Sequence, residues 1–172
     1  MNKYTCSPKV HENHDADHCV SEDWVILVAI ETLKPHIFIR NCELNIIIGD
    51  DKLLKSLNLN HKGINDSTDV LSFNIEPIHD FVLVDENSRQ SSGNSDFIMP
   101  EGTSGLIGEV IISIEKIFSQ SRSKGISFDQ ELAILVIHGI LHILGFDHED
   151  DQDYQKMQEF ADKAYSAVMN IS

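Results

Sequence analysis

Glu131-Leu-Ala-Ile-Leu-Val-Ile-His138-Gly-Ile-Leu-His142-Ile-Leu-Gly145-Phe-Asp147-His148 is the stretch that decides the fold. Apolar residues surround positions 131–144 almost completely, the pattern of a helix buried at the centre of a domain. Within it His138 and His142 stand four residues apart, one turn along the same face, so both imidazoles reach one ion. Gly145 suits the left-handed conformation that ends a helix. The chain then turns back, and His148 approaches the same ion from another side. Three neutral imidazoles with an open fourth position are the ligand set of a catalytic zinc. The expectation is one Zn2+ on His138, His142 and His148, in a metal-dependent hydrolase.

The bland alternative is a buried helix whose histidines bond to backbone carbonyls. Burying three polar rings together without a shared partner is costly, which weighs against it. The spacing also matches the metzincin signature H-E-x-x-H-x-x-G-x-x-H, with one difference. Gly139 stands where those proteases carry the glutamate that serves as general base. A metallopeptidase is therefore the runner-up enzyme, with a part of its chemistry missing.

Outward from this helix, Ser21 is a plausible N-cap for a helix through Leu33, stopped by Pro35. Cys42–Ile48 alternates and is rich in β-branched residues, so it reads as a strand. Asp50 or Asp51 caps a short helix to about Leu57, and Asn58–Thr68 reads as a loop. Asp69–Ile75 and Leu106–Ser113 read as strands, separated by a long flexible excursion from Pro77 to Gly105. A helix follows to about Lys124, where Gly125 breaks it. The last helix, about Gln152–Met169, carries Tyr154, Met157, Phe160, Ala161, Ala164 and Val168 at helical spacing and reads as a packing face. Strands early and long helices late predict an α+β domain with a small mixed sheet. The predicted division is a polar, poorly ordered segment over 1–20, with room for one short strand, and one folded domain over 21–172. The first segment holds His11, His14, His18 and Cys19, which read as polar chain more readily than as a metal site.

A chain of 172 residues suits one domain with a proper core. No apolar run approaches the ~18 residues of a membrane span, and no apolar stretch of the signal-peptide kind opens the chain. Cys6, Cys19 and Cys42, odd in number and irregular in spacing, fit a reducing compartment. A cytoplasmic protein without a membrane partner is expected. The net charge of −15 speaks against a broad basic face for nucleic acid. It leaves room for a focused cationic site near Lys52, Lys55 and Lys62.

His138–His148, together with Thr68-Asp-Val-Leu-Ser-Phe73 and Ile107-Gly-Glu-Val-Ile111 upstream, resembles the bacterial YbeY endoribonucleases, from about Glu43 to the end of the chain. The resemblance implies a zincin-like α+β fold with one zinc on the three histidines. It also implies a single-strand-specific RNA endonuclease that matures the 3′ end of small-subunit ribosomal RNA and serves ribosome quality control. Single-stranded RNA, ribosomal RNA and the small ribosomal subunit are thus the expected partners; oligomeric state is left open. The family arginine ahead of the Thr-Asp-Val-Leu-Ser-Phe strand corresponds to Lys62, before Gly63. Lysine keeps the charge and loses the planar bidentate fork. Lys62 is the expected catalytic cation. Ser67 replaces the usual proline, Ile107-Gly108-Glu109 the usual Leu-Gly-Asp. Asp147 reads as a turn or cap aspartate, or as an acceptor orienting a ligand imidazole. Asp69 and Ser72 read as strand-end hydrogen-bonding residues, or as residues shaping the cleft. A third reading, a non-catalytic ribosome-assembly protein with a structural zinc, lacks the cysteine ligands such sites favour.

Overall fold

The computed structural model describes residues 6–13, 20–35, 42–74, 105–146 and 151–171. It is the predicted α+β arrangement: among the described residues, five helices on a four-stranded mixed sheet. The strands are β1 (Cys6–Asn13), β2 (Cys42–Gly49), β3 (Val70–Asn74) and β4 (Gly105–Ser113). Their order in the sheet is β1-β2-β4-β3, with β1, β2 and β4 parallel and β3 antiparallel to β4. Cys6–Asn13 thus adds an edge strand from the segment that carries no apolar alternation of its own. Backbone pairing to β2 supplies what the side-chain pattern lacks.

The helices are α1 (Glu22–Leu33), α2 (Asp51–Lys62), α3 (Ile114–Lys124), α4 (Phe128–Ile143) and α5 (Asp151–Met169). No single helix among the described residues is long and apolar enough to cross a membrane. One face of the sheet carries the main core, where Leu44, Ile46, Ile48, Val110 and Ile112 pack with α1, α4 and α5. Leu132, Val136, Ile137, Ile140 and Ile143 make α4 the buried central helix. The other face holds a smaller cluster of Leu54, Leu71 and Ile111 beneath α2.

Two helices begin or end away from the sequence expectation. Helix α2 runs five residues past Leu57, to Lys62. Its last turn is polar, which hid it. Gly63 adopts φ +70° and donates to Leu59 O at 3.0 Å, while Ile64 N bonds Asn58 O at 3.4 Å. This glycine-terminated cap follows a basic last turn of His61 and Lys62. The buried Asn58 is held by its side-chain amide donating to Asp66 O at 2.9 Å. Helix α4 starts at Phe128, where Ser127 and Gln130 form a capping box.

Helix α4 lies unusually close to the sheet through two glycines. A Cβ at Gly139 would fall 2.4 Å from Val110 Cγ1, and one at Gly108 would fall 2.4 Å from Ile143 Cδ1. Real Cβ atoms essentially never come this close, and a Cβ at Gly108 would also fall 2.7 Å from Phe73 O, so any larger residue at either position forces its neighbours to shift. The approach brings the histidine-bearing turn of α4 beside β3.

Candidate active site

The site forms in the groove between edge strand β3 and the C-terminal half of α4. On β3, Val70, Ser72 and Asn74 share one face, opposite Ile112, Val110 and Gly108 of β4, and that face looks toward α4. Ser72 Oγ donates to Gly139 O at 3.0 Å and stitches strand to helix. A pocket of about 570 Å³ opens here, walled by Lys62, Asp69, Ser72, Asn74, His138 and His142. Thr68 and Val70 complete its lining.

His138 and His142 meet as the helical spacing predicts. Their rings are edge to face, with centroids 4.5 Å apart and an interplanar angle of 88°. Their Nε2 atoms lie 3.1 Å apart. Two imidazole nitrogens ~2.0–2.1 Å from one tetrahedral ion stand about 3.3 Å from each other. The observed separation therefore fits the bite of a single metal ion. Helix α4 ends just beyond, at Gly145 with φ +85°, as its sequence predicts. Gly145 N bonds His142 O and Phe146 N bonds Leu141 O, each at 3.0 Å. Phe146 then packs on Phe160 of α5, with centroids 5.0 Å apart. His148, the predicted third ligand, and Asp147 lie outside the described residues. Among the described residues no cluster of three His, Cys, Asp or Glu side chains surrounds an ion site.

Lys62 enters this pocket because α2 is longer than its sequence suggests. The capped last turn carries Lys62 to the wall. The opposite end of α2 is pinned by Ser113, whose Oγ donates to Asp51 Oδ1 at 2.6 Å, and by Glu115, which accepts from Asp51 N at 3.0 Å. Lys52 and Lys55 are exposed on α2 outside the pocket lining.

Asp69 is held by three hydrogen bonds from neighbouring residues. Its Oδ1 accepts from Val70 N at 2.9 Å and from Thr68 Oγ1 at 3.2 Å; its Oδ2 accepts from Gln120 Nε2 at 3.0 Å. Burial by itself would raise the pKa of this carboxyl. The hydrogen bonds from Gln120, Val70 and Thr68 together outweigh it and hold the group below its ordinary 3.8. Asp69 and Ser72 thus do both things read for them: they bond at the strand and they wall the cleft. Thr68 opens the quoted strand motif without a site role assigned to it, and Asn74 lies just beyond that motif. Asn74 is visible in hindsight as the alternate-residue neighbour of Ser72 on the same strand face.

Helix α5 corrects one expectation. Met157, Ala164 and Val168 are buried, as a packing face requires, but Tyr154 is 54% exposed. With Met157, Gln158 and Ala161 it lines a second pocket of about 290 Å³ on the far side of His138.

A family model described as Endoribonuclease YbeY matches residues 10–169 of this chain. Among curated proteins, an Endoribonuclease YbeY of Caldicellulosiruptor bescii is 34% identical over 139 residues, covering 81% of each chain. One of Dehalococcoides mccartyi is 34% identical over 152 residues, covering 88% of this chain and 90% of its own. Among solved structures, the solution structure of TM1509 from Thermotoga maritima superposes with a TM-score of 0.53. That match covers 95% of this chain and 93% of the other at 20% identity, a likeness of fold.

Proposed function

The chain belongs to the endoribonuclease YbeY family, and from that premise we propose that it is a metal-dependent endoribonuclease specific for single-stranded RNA, working in the groove between β3 and α4. The observation that carries this reading is the convergence of two imidazoles, 3.1 Å apart, on a pocket that also holds a lysine. His138, His142 and His148 would hold one Zn2+. Such an ion supplies Lewis-acid polarisation of a phosphoryl oxygen and a water whose pKa is lowered to ~7.

The chain's own groups do the rest. Lys62 offsets negative charge that grows on the phosphoryl oxygens as a phosphodiester is cleaved. It acts as a point charge, where an arginine would offer a two-toothed fork. Asp69, kept ionised, makes a negative wall that a phosphate avoids, which leaves Lys62 on the attractive side of the pocket. The preference for single strands, the maturation of small-subunit ribosomal RNA at its 3′ end and the encounter with the small ribosomal subunit are what the family resemblance implies; a cytoplasmic setting is the expectation from the cysteine usage. The peptidase reading loses ground at Gly139. A glutamate there has no room for even its Cβ.

Cleavage of a labelled single-stranded RNA by zinc-loaded protein tests the proposal, beside His142→Ala and Lys62→Ala prepared identically. We expect His142→Ala to lose zinc and cleavage together. Lys62→Ala should keep its zinc and cleave about 10²- to 10³-fold more slowly, a loss in the range of one missing electrostatic contact to a transition state. Equal cleavage by wild type and His142→Ala would sink the metal-site assignment.

A further inference from the structure

His138 stands between two pockets of opposite chemistry. The β3 side offers Lys62 and the carboxylate Asp69. The α5 side is walled by Tyr154, Met157, Gln158, Ala161 and the His138 ring, with no charged side chain among them. Tyr154 and Met157 are three residues apart on α5, and Gln158 and Ala161 follow at four and seven, so all four line one strip of the helix. Tyr154 is largely exposed beside the buried Met157, and so presents an aromatic surface over an apolar floor.

We propose that this second pocket is a nucleobase subsite, in which an unpaired base next to the scissile phosphodiester stacks on Tyr154 while its phosphate lies in the β3 pocket. The proposal rests on the endoribonuclease reading and deepens it.

Three observations favour a base over a phosphate or another charged group. Among the described residues the lining is neutral. The helix beside it is acidic, with Asp153, Glu159 and Asp162, and the lysines among them are already paired. Lys156 bridges Asp153 at 3.6 Å and Lys163 bridges Glu159 at 2.6 Å. A phosphate would meet a negative field there, whereas a neutral ring would not. Finally, His138 lines both pockets, so this one adjoins the expected metal ligand. Stacking on an aromatic side chain suits every base, because each has a π-face. The thioether of Met157 adds a polarizable contact beneath it. Gln158 brings discrimination. Its Nε2 donates to Asp162 Oδ1 at 2.9 Å, which fixes the amide and keeps its carbonyl oxygen as acceptor for a base amino group.

The test uses full-length, zinc-loaded protein and a short single-stranded RNA with one mapped cleavage site. 2-Aminopurine is placed in turn at each position flanking that site, and its fluorescence is followed by stopped flow ahead of cleavage. We expect strong quenching at one position. Tyr154→Ala should abolish that quenching and raise KM about 5- to 100-fold, the range for one base–aromatic stack, with kcat and zinc content little changed. Tyr154→Phe, which keeps the ring, should restore both signals. Gln158→Ala should leave quenching intact and flatten any preference among bases at that position. Wild-type cleavage with quenching and KM unchanged in Tyr154→Ala would overturn the subsite and leave the nuclease reading standing. A fall in kcat and melting temperature without position-specific quenching would mark Tyr154 as structural and overturn it equally. Failure of the wild type to bind or cleave RNA would overturn both.

Discussion

The two ends of α4 treat their polar groups in opposite ways. At the N-terminal end Ser127, Gln130 and Glu131 are closed off by other protein groups. Ser127 and Gln130 satisfy each other's backbone amides. Glu131 is fully buried, and both its oxygens accept from Lys124 Nζ, at 2.7 and 2.8 Å. Trp24 Nε1 donates to Asp129 O at 3.2 Å and ties α1 to the same end. At the C-terminal end, four turns along an equally apolar helix, His138 and His142 line an open pocket. A buried carboxylate costs several kcal/mol of desolvation unless paired, so the first end anchors the helix. The second end keeps its nitrogens within reach of a ligand. One element serves as both anchor and site, and the two roles should separate under mutation.

His142→Ala probes the functional end. It should abolish metal binding and lower cleavage by about 10³-fold or more, since several kcal/mol of Lewis-acid stabilisation are lost. Urea unfolding of the metal-free proteins should change by less than about 1 kcal/mol, because the ring is only partly buried. A large loss of metal-free stability would mean that the histidines belong to the core after all. Lys124→Ala probes the other end. It strands the Glu131 carboxylate in the core and should cost about 3 kcal/mol in urea unfolding, while zinc content and kcat at temperatures below melting stay near wild type. A selective loss of zinc would break the division of roles.

Gly139→Ala falls between the two. The added Cβ meets Val110 Cγ1 at 2.4 Å and Ser72 Oγ at 3.2 Å. Valine on a strand has little rotamer freedom to give way, so the helix must shift from the sheet. Overpacking of this size costs about 1–3 kcal/mol. The same shift loosens the Ser72–Gly139 stitch and widens the groove, so KM for RNA should rise as stability falls. Unfolding and cleavage measured on one preparation would show whether the two move together; unchanged values of both would mean that the close approach is not needed.

What the sequence displays clearly is what depends on local periodicity. The histidine pair, the glycine that ends α4 and the apolar run around them are all properties of one helix, and spacing alone conveys them. Lys62 is a different case. Its place in the pocket depends on α2 continuing through Asn58-Leu-Asn-His-Lys, a run whose polarity resembles a loop. The cue that outweighs that polarity is Gly63, a left-handed terminator after two basic residues. The strand Cys6–Asn13 leaves no cue of this kind, because its stability comes from pairing with a strand some forty residues away. Tyr154 was indistinguishable from its buried neighbours, since helical spacing says which residues share a strip and not where the neighbouring helix stops covering it.

A hydrogen-bond path runs from the N-terminal end of α4 to the pocket wall at Asp69. Lys124 Nζ, besides holding Glu131, lies 3.5 Å from Gln120 Oε1, and Gln120 Nε2 donates to Asp69 at the pocket wall. The Lys124–Gln120 step is the long one, so the path should transmit little. Gln120→Leu isolates the final link. Asp69 has a folded-state pKa below its ordinary value. Its contribution to stability is therefore fully present above the unfolded pKa, and it is lost as pH falls from there through the lower folded value. Removing the Gln120 donor leaves the pull of burial less opposed, so the folded pKa should rise toward 3.8. Near pH 7 the variant should be about 1 kcal/mol less stable, the net worth of one such bond. As pH falls below the lowered folded pKa, where the carboxyl is protonated in both states, the difference should shrink. Urea unfolding at several pH values, with an NMR titration of the Asp69 carboxyl, measures both. A stability difference that stays constant down to the acid limit would assign the loss to packing of Gln120 instead of to the charge on Asp69.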